Sequence, residues 1–230
     1  MATHVITGAG SGIGAAVARR LHERGDDVVL MARDAGRAKQ LAAALPGART
    51  LVGDLANPDR LSWAFSHQPM PERVDTLLHI AGIVDLGRVG DLGTKAWHSQ
   101  LNVNLISPAE LTRLFLPQLR LDKGHVLFVN SGAGLSAGPE WSAYAASKHG
   151  LKALADALRQ EEHGNGVRVT SVYPGRTASA MQEKVHQQEG KEEYDASRWI
   201  DPESVATTIL MALDLPRDAE VNDLTVRPGR

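Results

Sequence analysis

Seven short apolar runs, separated by longer segments of helical period, constrain the fold of this 230-residue chain more than any other feature. Val, Ile and Leu follow one another in these runs without polar alternation, which is typical of strands buried on both faces of a sheet. The runs cover residues 3–7, 27–32, 48–52, 74–80, 125–130, 167–173 and 222–228. Strands that alternate with helices form parallel sheets, so a parallel sheet is predicted.

Six segments between the runs have helical period, at residues 14–25, 35–45, 58–68, 92–121, 141–163 and 201–213. The last begins with Asp201 and Pro202, an N-cap residue followed by a proline at the first helical position. The alternation predicts one domain over residues 1–230 with a Rossmann-like, doubly wound α/β fold, whose sheet of about seven strands has helices on both faces. Residues 176–200 lack a clear period, which predicts a mobile substrate loop or a short helical lid.

Charge and composition argue against several classes of protein. A formal net charge of −2, with Lys and Arg scattered through the chain, indicates neither a nucleic-acid partner nor an anionic membrane surface. The first apolar run ends at a glycine cluster, so we expect neither a signal peptide nor a membrane span, and a cytoplasmic location is the simplest interpretation. The chain has no cysteine and its nine histidines lack ligand spacing, so no metal site is expected.

The first run leads directly into TGAGSGIG, residues 7–14, and then into a helical segment. Glycines in such a turn let the backbone approach a phosphate closely, and the free N–H groups of the helix N-terminus favour negative charge. The spacing of Gly8, Gly12 and Gly14 is T-G-x-x-x-G-x-G, which is longer than the common G-x-G-x-x-G pattern. We therefore predict a dinucleotide site that also includes Ser11 and Ile13.

The end of the second run indicates which dinucleotide to expect. An acidic side chain at position 32 would bind both hydroxyls of the adenosine ribose, but Ala32 is apolar and Arg33 follows it. A guanidinium forms a forked pair with a phosphate, so Arg33 favours NADP(H) over NAD(H). Asp34 leaves NAD(H) open as the alternative.

Tyr144 and Lys148, in the segment YAASK, are four residues apart and share one face of a predicted helix. Such a pair is common on helices and does not by itself indicate chemistry. A lysine ammonium beside a phenol favours the phenolate, so the pair predicts a Tyr144 pKa below its ordinary value of about 10.

The chain resembles the short-chain dehydrogenase/reductase family over nearly its whole length. The matching motifs are TGAGSGIG, GDLANP with Asp54, Ala81–Gly82, NVNL with Asn104, NSGAG with Ser131, YAASK, and YPGRTAS with Pro174 and Gly175. Each motif alone is weak evidence, but their order and separations together make the resemblance strong.

The resemblance implies a catalytic tetrad of Asn104, Ser131, Tyr144 and Lys148. In this arrangement Tyr144 exchanges a proton with the substrate oxygen while hydride moves between the nicotinamide and the carbonyl carbon, and Ser131 polarises that oxygen. Lys148 also reaches the nicotinamide ribose. The expected cofactor-binding residues are Gly8, Ser11, Gly12, Ile13, Gly14, Arg33, Asp54, Leu55, Ala81, Gly82, Tyr144, Lys148, Pro174, Gly175, Thr177 and Ser179.

Pro108 lies four residues after Asn104 within the long helical segment. Because proline has no N–H, the backbone carbonyl of Asn104 loses its usual donor, and the helix should kink there. A buried carbonyl without a donor needs another partner. Our hypothesis is a water molecule that links Asn104 to Lys148.

One departure from the family's pattern lies at the end of the fourth run, where His79 and Ile80 replace its usual Asn-Asn. We expect His79 to be structural, because it lies in a predicted buried strand. Some of the bonding that the asparagine amides would provide must be lost or taken over by His79.

The expected function is NADP(H)-dependent reduction of a small ketone or aldehyde, in a pocket bounded by residues 132–139, Trp141 and the segment 176–200. Alternatives are a catalytically idle NADP-binding sensor and an NAD-dependent alcohol dehydrogenase of the same family. An epimerase of the extended branch would need more chain than follows the last run before Arg230. The resemblance also implies a homodimer or homotetramer, formed through the helices that carry Asn104 and Tyr144.

Overall fold

Seven parallel strands form one sheet in the computed structural model, which describes residues 1–191 and 193–229. The strands are β1 (Thr3–Ile6), β2 (Asp27–Ala32), β3 (Arg49–Val52), β4 (Thr76–His79), β5 (His125–Val129), β6 (Arg168–Pro174) and β7 (Asp223–Val226). Their order across the sheet is β3-β2-β1-β4-β5-β6-β7, which confirms the predicted doubly wound fold. Glu192 and Arg230, within the predicted domain, lie outside the described residues.

Eight α-helices of the described residues connect and cover these strands. They are α1 (Gly12–Glu23), α2 (Ala35–Ala44), α3 (Leu61–Ser66), α4 (Thr94–Leu101), α5 (Ser107–Leu121), α6 (Ser142–Glu162), α7 (Ala180–Gln188) and α8 (Pro202–Leu213). The carboxylate of Asp201 accepts a hydrogen bond from the Glu203 N–H at 2.8 Å, which confirms its role as the N-cap of α8. None of the described helices is long and apolar enough to cross a bilayer.

The two faces of the sheet bury separate apolar cores. Along β2, Val28 and Leu30 pack into one core with α1 and α8, whereas Val29 and Met31 pack into the other with α5 and α6. Successive side chains of a strand point to opposite faces, so a strand covered by helices on both sides is apolar at every position. This alternation explains the continuous apolar runs in the sequence.

The prediction that every run is buried on both faces is wrong for the two edge strands. Asp223 and Thr225 of β7 are exposed, and so is Arg49 of β3. Each of these strands has a hydrogen-bonded neighbour on one side only, so the helices cover it less completely than they cover the five central strands.

The helical segment 92–121 is interrupted close to the predicted position, in the form of a π-helical turn. Asn102–Ile106 form this turn between α4 and α5, and the N–H of Ser107 donates to the carbonyl of Asn102, five residues back. Pro108 lies in the first turn of α5, where its missing N–H removes the donor that would bond four residues back. The widened turn places Asn104 in the interior, with its side chain fully buried.

The segment 176–200 contains a short helix and is therefore not a loop without regular structure. It contains α7 and one 3-10 turn at Ala196–Arg198, while Glu192 lies outside the described residues. The Lys184 ammonium donates to the carbonyl of Val84 at 2.9 Å, which fixes α7 to the chain that follows β4.

Two leucines near the end of α5 provide a matched test of the core. Leu119 is 0% exposed and Leu121 is 81% exposed. We expect Leu119→Ala to lower the free energy of unfolding by about 2–5 kcal/mol, because the lost methyl groups leave a cavity. Leu121→Ala should change it by less than about 0.5 kcal/mol. Urea denaturation followed by circular dichroism measures both variants, and equal losses would contradict this packing.

Candidate active site

A cavity of about 500 Å³ opens at the edge of the sheet where the central strands end. Residues that follow β1, β4, β5, β6 and β7 line it, together with the start of α6 and the helix α7. In a doubly wound sheet ligands bind at this edge, because neighbouring connections run to opposite faces of the sheet and leave a crevice between them.

The glycine loop after β1 forms one wall of the cavity and is closely packed. A Cβ on Gly14 would lie 2.2 Å from the carbonyl oxygen of Gly8, and one on Gly8 would lie 2.8 Å from the N atom of Ala81. Ser11 precedes α1 without a side-chain hydrogen bond to its first turn, so those N–H groups remain available to an anion. Without side chains the loop lets phosphate groups approach the backbone closely, and the free N–H groups can bond them. The loop therefore fits the phosphates of a dinucleotide.

Thr7 ties the glycine loop to the chain that follows β4. Its hydroxyl accepts hydrogen bonds from the N–H groups of Ile80 and Ala81 at 2.9 and 3.0 Å, and donates to the carbonyl of Leu78 at 3.3 Å. One buried hydroxyl therefore fixes the loop against the Ala81–Gly82 pair that also lines the cavity.

His79 faces away from the cavity and is structural, as predicted. Its Nε2 atom lies 3.0 Å from the hydroxyl of Thr112, and its ring stacks on Phe128 with centroids 4.8 Å apart. Burial lowers the pKa of His79 to about 3, so the imidazole is neutral. Thr7, rather than His79, thus makes the contact between the chain after β4 and the glycine loop.

The Asn104 amide lies behind the cavity wall and binds two segments at once. Its Oδ1 accepts from the N–H of Ile83 at 2.9 Å, while its Nδ2 donates to the carbonyl of Ile83 at 2.9 Å and to the hydroxyl of Ser147 at 3.0 Å. That hydroxyl donates in turn to the carbonyl of Tyr144 at 2.7 Å. Asn104 therefore positions α6 relative to the chain after β4.

Ser131, Tyr144 and Lys148 line the same part of the cavity. Ser131 begins a 3-10 turn after β5, and its hydroxyl accepts from the N–H of Ala133 at 3.1 Å. Lys148 donates to the carbonyl of Val129 at 3.0 Å, and its Nζ lies 5.8 Å from the centroid of the Tyr144 ring. The predicted helical pair therefore faces the strand end that carries the serine.

The expectation that Lys148 lowers the Tyr144 pKa is wrong for this structure. Burial raises the pKa of Tyr144, and a hydrogen bond with Ser131 opposes that shift only in part. Burial also lowers the pKa of Lys148 to about 8. Both groups are almost fully removed from water, so desolvation of the phenolate and of the ammonium outweighs the attraction expected from their spacing.

Most of the predicted cofactor-binding residues come together along the cavity. Those in its walls are Gly8, Ser11, Gly12, Ile13, Gly14, Ala81, Gly82, Tyr144, Lys148, Pro174, Gly175, Thr177 and Ser179. The structure does not bring Arg33, Asp54 and Leu55 into these walls. Asp54 bonds the N–H of Ala56 and the amide of Asn57, and the carbonyl of Leu55 accepts from the hydroxyl of Ser107.

Two of the expected cofactor-binding residues, Ser179 and Thr177, use their hydroxyls in hydrogen bonds within the chain. Ser179 is the N-cap of α7, where its hydroxyl accepts from the N–H of Gln182 at 3.2 Å. Thr177 donates to the carbonyl of Gly175 at 3.0 Å. Trp141, which is expected to bound the pocket, lies in the cavity wall, whereas Leu135, within the expected boundary 132–139, is exposed and outside it.

Three further polar residues belong to the site, although the sequence did not single them out. The buried amide of Asn130 donates to the carbonyl of Lys148 at 3.1 Å and accepts from the N–H of Ser131 at 2.9 Å. Arg37 donates to the carbonyl of Gly10 in the glycine loop at 2.8 Å. Arg227 lies in the cavity wall. Asn130 lies in the motif NSGAG, so the sequence contained a signal for it. The contacts of the two arginines depend on how distant elements pack, which the sequence does not show.

Comparisons with known proteins agree with this arrangement. A family profile described as short chain dehydrogenase matches residues 2–190. Dehydrogenase/reductase SDR family member 11 of Bos taurus is 31% identical in an alignment of 241 positions, gaps included, that covers 97% of this chain and 94% of that protein.

Solved structures share the fold. A putative NAD(P)-dependent gluconate 5-dehydrogenase from Beutenbergia cavernae with bound NADP is 29% identical, with a TM-score of 0.82 over 99% of this chain and 96% of that chain. A 4-hydroxyisoleucine dehydrogenase complexed with NADH is 24% identical, with a TM-score of 0.86 over 100% and 98%. Nicotinamide cofactors of both kinds thus occur in similar folds.

The buried ammonium of Lys148 predicts a specific pH dependence of stability. Between about pH 8 and the ordinary lysine pKa of 10.5, the unfolded chain holds a proton that the folded chain has lost. The stability of the wild type should therefore rise with pH across this window relative to Lys148→Met, by on the order of 3 kcal/mol.

Urea denaturation at several pH values between 7 and 10.5 measures this difference. Lys152→Met is the matched control, because Lys152 lies one turn further along α6 with its side chain 37% exposed. Its stability should follow that of the wild type in this window. A wild-type curve parallel to that of Lys148→Met would contradict the assignment of a depressed lysine pKa.

Proposed function

The chain belongs to the short-chain dehydrogenase family, and from this membership and the geometry of the cavity we propose that it reduces a small ketone or aldehyde with NADPH. The observation that carries the proposal is the position of Ser131, Tyr144 and Lys148 in one wall, across from a glycine loop that fits phosphates. Family membership makes the protein an oxidoreductase. The proposed reductive direction and the carbonyl substrate follow from the protonation and positions of the side chains in the cavity.

Tyr144 is suited to donate a proton in the reductive direction. Because burial raises its pKa, the phenol is protonated at neutral pH, which is the form that a carbonyl oxygen needs as it gains negative charge. Bound NADPH supplies the hydride that forms the new C–H bond as the C=O π bond breaks, and is oxidised to NADP⁺. Lys148, an ammonium below about pH 8, is the nearby cation that stabilises Tyr144 once it has lost its proton.

Ser131 is placed to hold the same oxygen. Its hydroxyl oxygen accepts from the N–H of Ala133, and its hydroxyl is also hydrogen-bonded to Tyr144. A carbonyl oxygen bound between the two side chains would receive the Ser131 O–H in place of the tyrosine. Two donors from Ser131 and Tyr144 that meet at one oxygen stabilise the charge that develops there.

Gly82 supports the proposed water molecule between Asn104 and Lys148. A Cβ on Gly82 would lie 3.4 Å from Oδ1 of Asn104 and 3.7 Å from Nζ of Lys148. The missing side chain therefore leaves space beside Oδ1 of Asn104 and Nζ of Lys148, and a water in this space would link the two residues and carry the proton outward.

Two arginines near the glycine loop support NADPH as the cofactor. Arg33 follows β2 with its side chain 79% exposed, and its guanidinium lies 3.1 Å from the carboxylate of Asp34. Arg37, one helical turn further on, is held against the loop by its bond to Gly10. Two guanidinium groups at this edge favour a 2′-phosphate on the adenosine ribose.

Replacing the Tyr144 hydroxyl tests the reaction directly. We expect Tyr144→Phe to lower kcat for carbonyl reduction by at least about 100-fold, because the proton donor is lost. Its NADPH affinity, measured by fluorescence titration, should stay within about twofold, because the loss of one hydroxyl leaves the glycine loop and the other expected cofactor contacts in place. Tyr173→Phe, a buried tyrosine within β6, is the control and should keep its activity. A wild type that binds NADPH but reduces no ketone, aldehyde or quinone would favour an idle sensor.

Cofactor preference has its own test in the two arginines. We expect the wild type to use NADPH with a kcat/KM at least about tenfold above that for NADH, through the charge-assisted bonds to the 2′-phosphate. The double variant Arg33→Ala, Arg37→Ala should lose this preference, because its kcat/KM with NADPH falls while its kcat/KM with NADH stays unchanged. Arg73→Ala, on the exposed chain before β4, should retain it. Equal use of NADH and NADPH by the wild type would show that the interpretation of Arg33 is wrong.

A further inference from the structure

The charged residues in the cavity wall are all cations. Among the described residues that line it, the charged side chains are Lys148, Arg176 and Arg227, and no Asp or Glu is present. An apolar cavity with an excess of positive charge selects a ligand that brings negative charge.

Two of these cations are already engaged within the chain. Arg176 donates through both terminal nitrogen atoms to the carboxylate of Glu189, and its guanidinium lies 5.4 Å from the Trp199 ring. Arg176 lowers the pKa of Glu189 to about 2, so this carboxylate is ionised and neutralises the arginine. Lys148 donates to the Val129 carbonyl beside the Tyr144 ring.

Arg227 differs from both, since it makes no hydrogen bond or ion pair with the residues that the structure describes. It follows β7, whose last residue Val226 accepts from the N–H of Gly175 at 2.7 Å. Its side chain extends across the end of β6 to Gly132, where a Cβ would lie only 2.8 Å from Nη1. The absence of a side chain at Gly132 therefore leaves room for the guanidinium beside the end of β5.

The position of this guanidinium separates it from the cofactor phosphates. Gly132 directly follows Ser131, so bond geometry places the guanidinium within about 8 Å of the Cα of Ser131. The glycine loop follows β1, which is two strands away from β5, a lateral distance of about 10 Å. The guanidinium thus lies beside the strand end that carries Ser131, and this strand is two strands away from the one that carries the glycine loop.

We propose that Arg227 binds a carboxylate of the substrate, so that the carbonyl compounds reduced in this cavity are short-chain oxo acids. This inference rests on the proposed function for the identity of the reacting group, since it names the substrate of the same site. A guanidinium binds a carboxylate through two parallel hydrogen bonds, which would orient the acid as well as attract it. A carboxylate brings one negative charge, which matches one unpaired guanidinium, whereas a phosphate monoester brings nearly two.

The test compares acids with their methyl esters as substrates. The probes are 2-oxobutanoate, 3-oxobutanoate and 4-oxopentanoate, each with its methyl ester, which differ in the distance between carbonyl and carboxylate. For at least one pair we expect the wild type to have a kcat/KM for the acid at least about tenfold above that for the ester. Arg227→Met should lower the value for that acid by about 10- to 100-fold, the loss expected for charged hydrogen bonds, and change the value for the ester by less than about threefold.

Matched variants define the role of the arginine. Arg227→Lys should recover part of the lost activity with the acid, because the charge is kept and the forked geometry is not. Arg88→Met removes an exposed arginine that lies outside the cavity wall, and should behave like the wild type. Esters reduced as well as acids by the wild type, or an equal loss on acid and ester in Arg227→Met, would overturn the proposal.

A calorimetric titration separates this inference from the reductase proposal. The same acids are titrated into wild type and Arg227→Met saturated with NADP⁺. If no carbonyl compound is turned over, the proposed function fails, but binding of an acid by the wild type and its loss in Arg227→Met would still support the carboxylate site. Failure of the wild type to bind any of these acids, or a weaker affinity of Arg227→Met for NADPH itself, would overturn it.

Discussion

The side-chain amide of Asn104 is the interaction on which the positions of the reactive groups depend. It bonds both the N–H and the carbonyl of Ile83, and through Ser147 it reaches the backbone of Tyr144. The amide oxygen of Asn104 accepts from the Ile83 N–H, and its NH₂ group donates to the Ile83 carbonyl and to the Ser147 hydroxyl. Exchanging the oxygen and the nitrogen would break these bonds, so the amide has one orientation that satisfies all three. Because it is fully buried, the loss of any of these bonds would leave an unpaired polar group.

The π-helical turn at Asn102–Ile106 is what brings this amide into the interior. Pro108 removes a helical donor just where the widened turn occurs, so a local defect of α5 has a consequence for the site. The same burial that makes the amide bonds strong also governs Tyr144 and Lys148. It favours the neutral phenol and lowers the pKa of the lysine, and the neutral phenol is the form that the proposed carbonyl reduction needs as its proton donor.

The sequence predicted the order of elements well, because the apolar runs and glycine loop depend on local periodicity and turn chemistry. Each run coincides with one strand of the sheet, although β6 extends one residue beyond its run, to Pro174. The Tyr144–Lys148 pair lies on one helix, as its spacing requires. Edge exposure of β3 and β7 was not predictable from the runs alone, since it depends on strand order. The Tyr144 pKa was predicted in the wrong direction, because the spacing of two residues indicates their attraction but not how completely both are buried.

Arg227 shows the same limit for the candidate site. Its cavity contact depends on the pairing of β7 with β6 and on the missing side chain at Gly132, 95 residues earlier in the chain. The contact of Arg37 with Gly10 likewise depends on how α2 packs beside the glycine loop. Both residues read as ordinary surface arginines in the sequence, and only the tertiary structure connects them with the cavity.

Transfer of a labelled hydride tests the central claim most directly. NADPH that carries deuterium in both positions at C4 of the nicotinamide is incubated with the protein and a panel of ketones, aldehydes and oxo acids, and the products are analysed by mass spectrometry. The account predicts an alcohol with one deuterium on the carbon that was the carbonyl carbon. Unlabelled alcohol, or no alcohol from any carbonyl compound while NADPH binds, would contradict it.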